Sequence, residues 1–183
     1  MVEMHNIAAI ARTHDMNCQD VLLEAVLAWR QSGVNVVGVL AEDNETVGEC
    51  SAAFLRDIAS ERRFRVNLDA PPAGAICHLD PEGMDEAGQS LLAQIAAADI
   101  VVLSKFGKLE TMQRGLWAAF AAAIAAQKPL LTTVSSKHRP QWSALAPDAA
   151  WVNGDLASLD RWRLSLQPGA TGGAAMGTRE ARI

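Results

Sequence analysis

Basic side chains follow several short apolar runs in this 183-residue sequence. The residues concerned are Arg12, His14, Lys105, Lys108, Lys137, His138 and Arg139. Arginine and lysine bind phosphate and other oxyanions because they combine N–H donors with positive charge. If the apolar runs are parallel strands, their carboxyl ends meet at one edge of the sheet, where ligands collect. Residues 12–18, 41–45, 104–110 and 135–139 should meet there and form a positive crevice for a small oxyanion, a phosphorylated metabolite or a nucleotide.

A structural interpretation of the same residues is equally open. Lys105 and Lys108 would then be solvated loop residues, Gly107 would allow a turn, and Glu110 would cap the next helix. A double variant, Lys105→Ala with Lys108→Ala, distinguishes the two interpretations. It should weaken ligand binding if these lysines line the crevice, and leave the affinity unchanged if they are solvated loop residues.

The elements that would position this crevice begin with an apolar run at 7–11 and a polar loop at 12–18. A helix is predicted over 19–31, since Leu22, Val26 and Trp29 recur at spacings of four and three. Another apolar run, 34–40, follows. A strand, a helix and a second strand in this order are typical of a doubly wound α/β sheet.

The remaining chain predicts further elements of both kinds. Expected strands are a β-hairpin over 54–58 and 63–67, short runs at 75–79, 100–103 and 130–134, and an edge strand at 150–152. Expected helices cover about 80–97, about 113–127 and 142–145. Residues 1–166 are predicted to form one α/β domain, and the small-residue segment 167–183 a flexible C-terminal tail.

Two segments carry a resemblance to a known family. The first includes Cys50, Phe54 to Ile58, Arg63 to Val66 and Cys77 to Asp80, and the second reads Ser104-Lys-Phe-Gly-Lys-Leu-Glu110, then Arg114-Gly-Leu116. Together they resemble a bacterial family of unknown function, often encoded near molybdate-transport or nitrogenase genes. That family is in turn similar to the small P-loop nucleoside triphosphatases of thermophiles. The resemblance implies a P-loop-NTPase-like fold with a hairpin insertion, and it favours Lys105, Lys108, Glu110 and Arg114 as ligand-binding residues.

The expected phosphate loop is degenerate. A working loop needs G-x-x-x-x-G-K-[ST], whose backbone amides and lysine hold the phosphates. Residues 11–20 contain neither glycine nor lysine, and Asp15 and Asp20 would repel phosphate. Where the triphosphatases carry an Asp-Glu pair for magnesium and water, the resemblance places Ser104 and Lys105. The sequence therefore predicts ligand binding without conventional hydrolysis of ATP or GTP.

Other chemistry has weaker support. Cys50 and Cys77 match the family pattern and His78 follows, which is compatible with a soft metal site or a redox pair; their spacing matches no recognised metal signature. Buried cysteines also serve as small core residues, and Cys18 has a weaker case still. Neither G-x-S-x-G nor H-E-x-x-H occurs. The cofactor stays unassigned, and the five tryptophans are expected to pack in the core or at its edge.

Composition bounds the partners. The net charge of -5 argues against nonspecific nucleic-acid binding, which needs a basic surface. Apolar runs stay shorter than the ~18 residues that cross a bilayer, and three cysteines suit a reducing compartment. We therefore expect a soluble, cytoplasmic protein that binds a small anion or nucleotide, with a link to molybdenum metabolism implied by the resemblance. Two alternatives stay open: an interaction module, for example a homodimer, and an enzyme that reuses the crevice.

Overall fold

A computed structural model describes residues 5–13, 16–43, 52–68, 73 and 79–166. Its elements are, in chain order, β1 (Ile7–Arg12), α1 (Cys18–Gln31), β2 (Val36–Asp43), β3 (Ala52–Asp57), β4 (Arg63–Arg65), α2 (Pro81–Ser90), α3 (Leu92–Ile95), β5 (Ile100–Phe106), α4 (Lys108–Thr111), α5 (Trp117–Ala125), β6 (Leu130–Ser135), a 3₁₀ turn (Ser136–His138), α6 (Arg139–Leu145), β7 (Ala150–Val152) and α7 (Leu156–Ser165).

Within these ranges, seven strands form one sheet in the order β4-β3-β2-β5-β6-β1-β7. The five strands from β2 to β7 in this order run parallel to one another. Strands β3 and β4 form an antiparallel hairpin on the outer side of β2. This arrangement confirms the predicted doubly wound, mostly parallel sheet with a hairpin insertion.

Helices cover both faces of the sheet, so the central strands are buried on both sides and mostly apolar. On one face, Leu22, Val26 and Trp29 of α1 are buried with α7 against β1, as their spacing predicted. The opposite face packs under α2, α3, α5 and α6, where Phe120 and Trp142 lie in the same buried cluster.

The tryptophans pack as expected. Trp142 meets the rings of Phe106 and Phe120 edge-on at centroid distances of 5.3 and 5.9 Å. On the other face, the Trp29 indole N–H donates to Asp160 at 2.6 Å, which ties α1 to α7.

Several predicted boundaries were wrong for identifiable reasons. The helix expected over 80–97 breaks at Leu91, whose N–H bonds to the carbonyl of Gly88 three residues back. The helix expected from 113 begins only at Trp117, because Gln113 and Gly115 have φ angles of 58° and 66° that no α-helix admits. The helix expected over 142–145 starts three residues earlier, at Arg139.

The segment expected as a loop over 104–110 is mostly regular structure. Strand β5 continues to Phe106, which still pairs with Val134 of β6, and α4 then occupies 108–111. Strand β2 likewise extends to Asp43. The strand expected at 75–79 lies largely outside the described residues, as does the predicted tail 167–183.

Among the described helices, none combines the length and the apolar character that a membrane crossing requires.

Candidate functional site

The carboxyl ends of β1 and β6 form the switch point of the sheet. From β1 the chain leaves through α1 toward β2, whereas from β6 it leaves through α6 toward β7 on the other side of β1. The two helices lie on opposite faces, since Trp29 and Trp142 belong to different buried clusters. In folds of this kind, connections that leave adjacent strands toward opposite faces leave a crevice above the strand ends, and ligands bind there.

Positive side chains from three elements converge on His138 at this crevice. Arg12 is the last residue of β1 and pairs with Ser135 of β6 in the strand register. The pKa of His138 is lowered, first by partial burial and then by the positive charges of Lys137, Lys105 and Arg12. The strand order agrees with this, because β6, which leads into the turn with Lys137 and His138, lies between β1 with Arg12 and β5 with Lys105.

The imidazole of His138 is anchored within its own turn. Its Nδ1 lies 3.0 Å from the Oγ of Ser135, the last residue of β6. The 3₁₀ turn therefore holds the ring against the strand end beside Arg12.

A bulge in β5 places Lys105. Leu103 pairs with Thr132 and Phe106 with Val134, so two residues of β5, Ser104 and Lys105, lie opposite one residue of β6. Bulges of this kind redirect a side chain and often occur beside binding sites. The carbonyl of Ser104, inside the bulge, accepts bonds from Thr133 Oγ1 at 2.9 Å and from Gln19 Nε2 at 3.0 Å.

The amino end of α1 reaches the same place through Gln19, which also accepts a bond from the amide of Ala41 at 2.9 Å. Burial raises the pKa of the Cys18 thiol, and the nearby charge of Arg12 partly opposes that rise. Unpaired amides at a helix amino end favour anions. Here, however, Asn17 and Asp20 occupy this position, with Asn17 Nδ2 donating to Asp20 Oδ2 at 2.7 Å.

Glu110 is buried beneath the crevice and is bound on both oxygens. It accepts from the amide of Gly107 at 2.9 Å and from that of Leu116 at 2.9 Å. Burial raises its pKa, while these two bonds and the charge of Lys105 oppose the rise. Leu116 immediately precedes α5, so Glu110 caps the next helix, as the structural interpretation predicted.

The other predicted site residues are placed differently. Arg114 donates to Asp85 of α2 at 2.7 Å, the Arg139 guanidinium lies 4.2 Å from the ring centroid of Trp151, and Lys108 is exposed at the first position of α4. Of the predicted set, Arg12, Lys105 and His138 are brought together, with Lys137 beside them. His14, Cys50, Cys77 and His78 lie outside the described residues.

Two residues of the crevice carried no recognisable signal in the sequence. Ser135 matters through its contact with His138, and Gln19 through its contacts with β2 and β5. Both depend on strand ends whose positions the sequence leaves open by a few residues. Across the described ranges, no group of three His, Cys, Asp or Glu side chains is arranged to hold a metal ion.

Comparisons with known proteins agree with this fold. A family model described as "Protein of unknown function (DUF2478)" matches residues 7–162. A curated relative, "Molybdenum import ATP-binding protein ModC 2" of Bradyrhizobium diazoefficiens, is 25% identical over 143 residues; the match covers 77% of this chain and 16% of that protein.

A solved structure, that of a human cancer-related nucleoside triphosphatase, superposes with a TM-score of 0.52 at 17% identity. The match covers 80% of this chain and 87% of the human triphosphatase chain. At this identity the likeness concerns the fold alone, and it confirms the P-loop-NTPase-like architecture.

Proposed function

We propose that this chain, which belongs to the DUF2478 family of unknown function, is an NTPase-like protein that binds a small anion, a nucleotide or a phosphorylated ligand without hydrolysing it. The observation that carries the proposal is the placement of Arg12, Lys105 and Lys137 at the ends of three neighbouring strands, around the imidazole that Ser135 holds. Like charges held together in a part-buried crevice repel one another, and a bound anion relieves that repulsion. On a chain with a net charge of -5, this cluster opposes the overall charge.

Binding without hydrolysis is favoured by the residues at the strand ends. Residues 11–20 lack the glycines and the lysine of a phosphate loop. The Asn17–Asp20 pair at the amino end of α1 adds a negative charge where a phosphate would lie. At the end of β5, Ser104 and Lys105 offer no carboxylate for magnesium.

The remaining predicted residues support the crevice from outside the ligand in this proposal. Glu110 fixes the backbone after Lys105, Arg114 holds α2 through Asp85, and Arg139 packs on Trp151. Lys108, exposed beside Gly107, would guide anions toward the opening.

A link to molybdenum metabolism in the cytoplasm is the finer part of the proposal. It is supported by the Bradyrhizobium relative, whose name describes it as an ATP-binding protein of molybdenum import. The chain spans 16% of that protein, so its activity is carried over here only as a direction for the choice of ligands.

The test is a thermal-shift panel with ATP, GTP, ADP, phosphate, sulfate, molybdate and tungstate. A ligand at a hundredfold excess over its dissociation constant stabilises the folded state by about 2.7 kcal/mol. We expect a shift with at least one anion that is lost in Lys105→Ala and in Arg12→Ala. The matched control is Lys128→Ala, because Lys128 precedes β6 at the amino ends of the strands, away from the crevice. Its Nζ donates to the carbonyl of Ala98 there.

A second candidate, an interaction module, is favoured by a different observation. Leu23 and Leu27 on α1 are 36% and 46% exposed, and Leu164 on the neighbouring α7 is 54% exposed. If no anion shifts the unfolding temperature and sedimentation shows a dimer that Leu27→Ser dissociates, this candidate replaces the first.

A further inference from the structure

Resting on the proposed anion-binding function, we propose that the crevice takes up a doubly charged oxyanion together with one proton, which the imidazole of His138 then holds. Ligand binding would thus be coupled to pH through one side chain of the site.

The hydrogen bond of His138 is compatible with both charge states. Its Nδ1 lies 3.0 Å from Ser135 Oγ, and a hydroxyl can either donate to a neutral imidazole nitrogen or accept from a protonated one. In the protonated ring both nitrogens donate, so Nδ1 keeps its bond to Ser135 and Nε2 is left to donate to an anion. Ser135 therefore keeps its contact through the change.

The charges around the ring set which state is favoured. Arg12 faces it from β1, Lys105 from β5, and Lys137 from the same turn. Arg139, which opens α6, lies over Trp151, and the buried carboxyl of Glu110 is close enough to interact with the charge of Lys105. In the empty crevice a fourth positive charge is unfavourable, in agreement with the lowered pKa of His138.

A bound dianion weakens this repulsion. Its two negative charges offset two of the three positive charges around the ring and favour the protonated imidazole, so the pKa of His138 rises on binding. The empty-state pKa lies below 6.5. Affinity therefore increases as the pH falls through the bound-state pKa, by up to about tenfold per pH unit for one linked proton, and levels off below the empty-state pKa.

The experiment is calorimetric titration of the full chain with sulfate between about pH 5 and about pH 8, a range over which histidine titrates and sulfate keeps its charge. Each titration is run in two buffers of different ionisation enthalpy, which gives the number of protons taken up per anion. The variant is His138→Gln. The matched control is His5→Gln, because His5 lies just before the amino end of β1, away from the crevice at its carboxyl end.

We expect a net uptake of up to one proton per anion within this range, and affinity that rises toward low pH in the wild type and in His5→Gln. In His138→Gln the proton uptake and the slope should vanish. An NMR titration of the wild-type imidazole signals provides a readout that needs no variant: the His138 pKa should rise when sulfate is added.

The outcomes separate the two proposals. Sulfate binding with no pH dependence, or with the same dependence in His138→Gln, overturns proton coupling and leaves anion binding intact. If sulfate fails to bind at any pH, proton-coupled dianion binding is wrong; if no anion of the thermal-shift panel binds either, the proposed function is wrong as well.

Discussion

Replacing Glu110 tests the contact that builds the turn beneath the crevice. Its side chain is 1% exposed and accepts two backbone amides, those of Gly107 and Leu116. Glu110→Ala leaves both amides buried without an acceptor, at about 1–3 kcal/mol each. We therefore expect Glu110→Ala to lower the free energy of unfolding by about 4 kcal/mol near pH 5.

Glu110→Gln should cost less than Glu110→Ala. The amide oxygen can still accept one of the two bonds, whereas the amide nitrogen faces the second donor, so about 2 kcal/mol is expected near pH 5. Burial of the carboxyl adds a pH dependence. Its folded-state pKa is raised above 4.5, so the folded state binds more protons than the unfolded state in that window. Wild-type stability then falls as the pH rises from 4.5 toward the folded pKa, and Glu110→Gln removes that fall.

The assay is urea unfolding followed by tryptophan fluorescence at pH 5 and pH 8, with free energies from linear extrapolation. Glu24→Ala and Glu24→Gln serve as matched controls, because Glu24 is exposed on α1. A cost below about 1 kcal/mol for Glu110→Ala at pH 5 would show that Glu110 does not hold the two amides. A wild type and a Glu110→Gln variant with the same pH profile would refute the raised pKa.

Two further perturbations test the sheet and the turn. Gly38 has a φ of 136°, and a Cβ there would lie 1.8 Å from the carbonyl oxygen of Val102, so Gly38→Ala should lower the free energy of unfolding by more than about 3 kcal/mol. Gly33 has a φ of 85° but open space around it, so Gly33→Ala should lower it by about 1 kcal/mol. Urea unfolding measures both. The pKa of Asp85 is lowered by its bond from Arg114, so this carboxylate stabilises the fold above pH 3.8 and loses that effect as the pH falls through its folded pKa. Asp85→Asn should therefore lower the unfolding midpoint at pH 7 but match the wild type at strongly acidic pH, and an equal loss at both would contradict the ion pair.

The sequence predicted the elements whose local pattern and long-range packing agree. The spacing of Leu22, Val26 and Trp29 placed the buried face of α1, and the run at 100–103 placed the core of β5. The order of strands and helices was enough to predict a doubly wound sheet. Which strands become neighbours depends on contacts that no local pattern contains, so the position of β1 between β6 and β7 came from the structure.

The site was harder to predict because its geometry depends on exceptions to regular structure. The bulge at Ser104 and Lys105 depends on the register with β6, and the left-handed backbone of Gln113 depends on the turn that Glu110 holds. Local propensity favours a helix through residue 113, and the bonds that Arg114 and the amide of Gly115 donate to Asp85 of α2 override it. Basic residues at the predicted strand ends were recognisable in the sequence. The sequence could not tell, however, that Arg12, Lys105 and Lys137 lie near His138 whereas Lys108 does not.

The segment 104–116 can be understood as one structural unit that fixes the backbone after Lys105. Glu110 bonds back to Gly107, two residues after Lys105, and forward to Leu116, where α5 is about to begin. Asp85 accepts bonds from Arg114 and from the amide of Gly115, which fixes the far side of the same turn. A flexible lysine loses rotamer freedom when it binds an anion, and a rigid backbone limits the additional freedom that must be lost. The turn thus limits the freedom of the backbone that carries Lys105 in the proposed site.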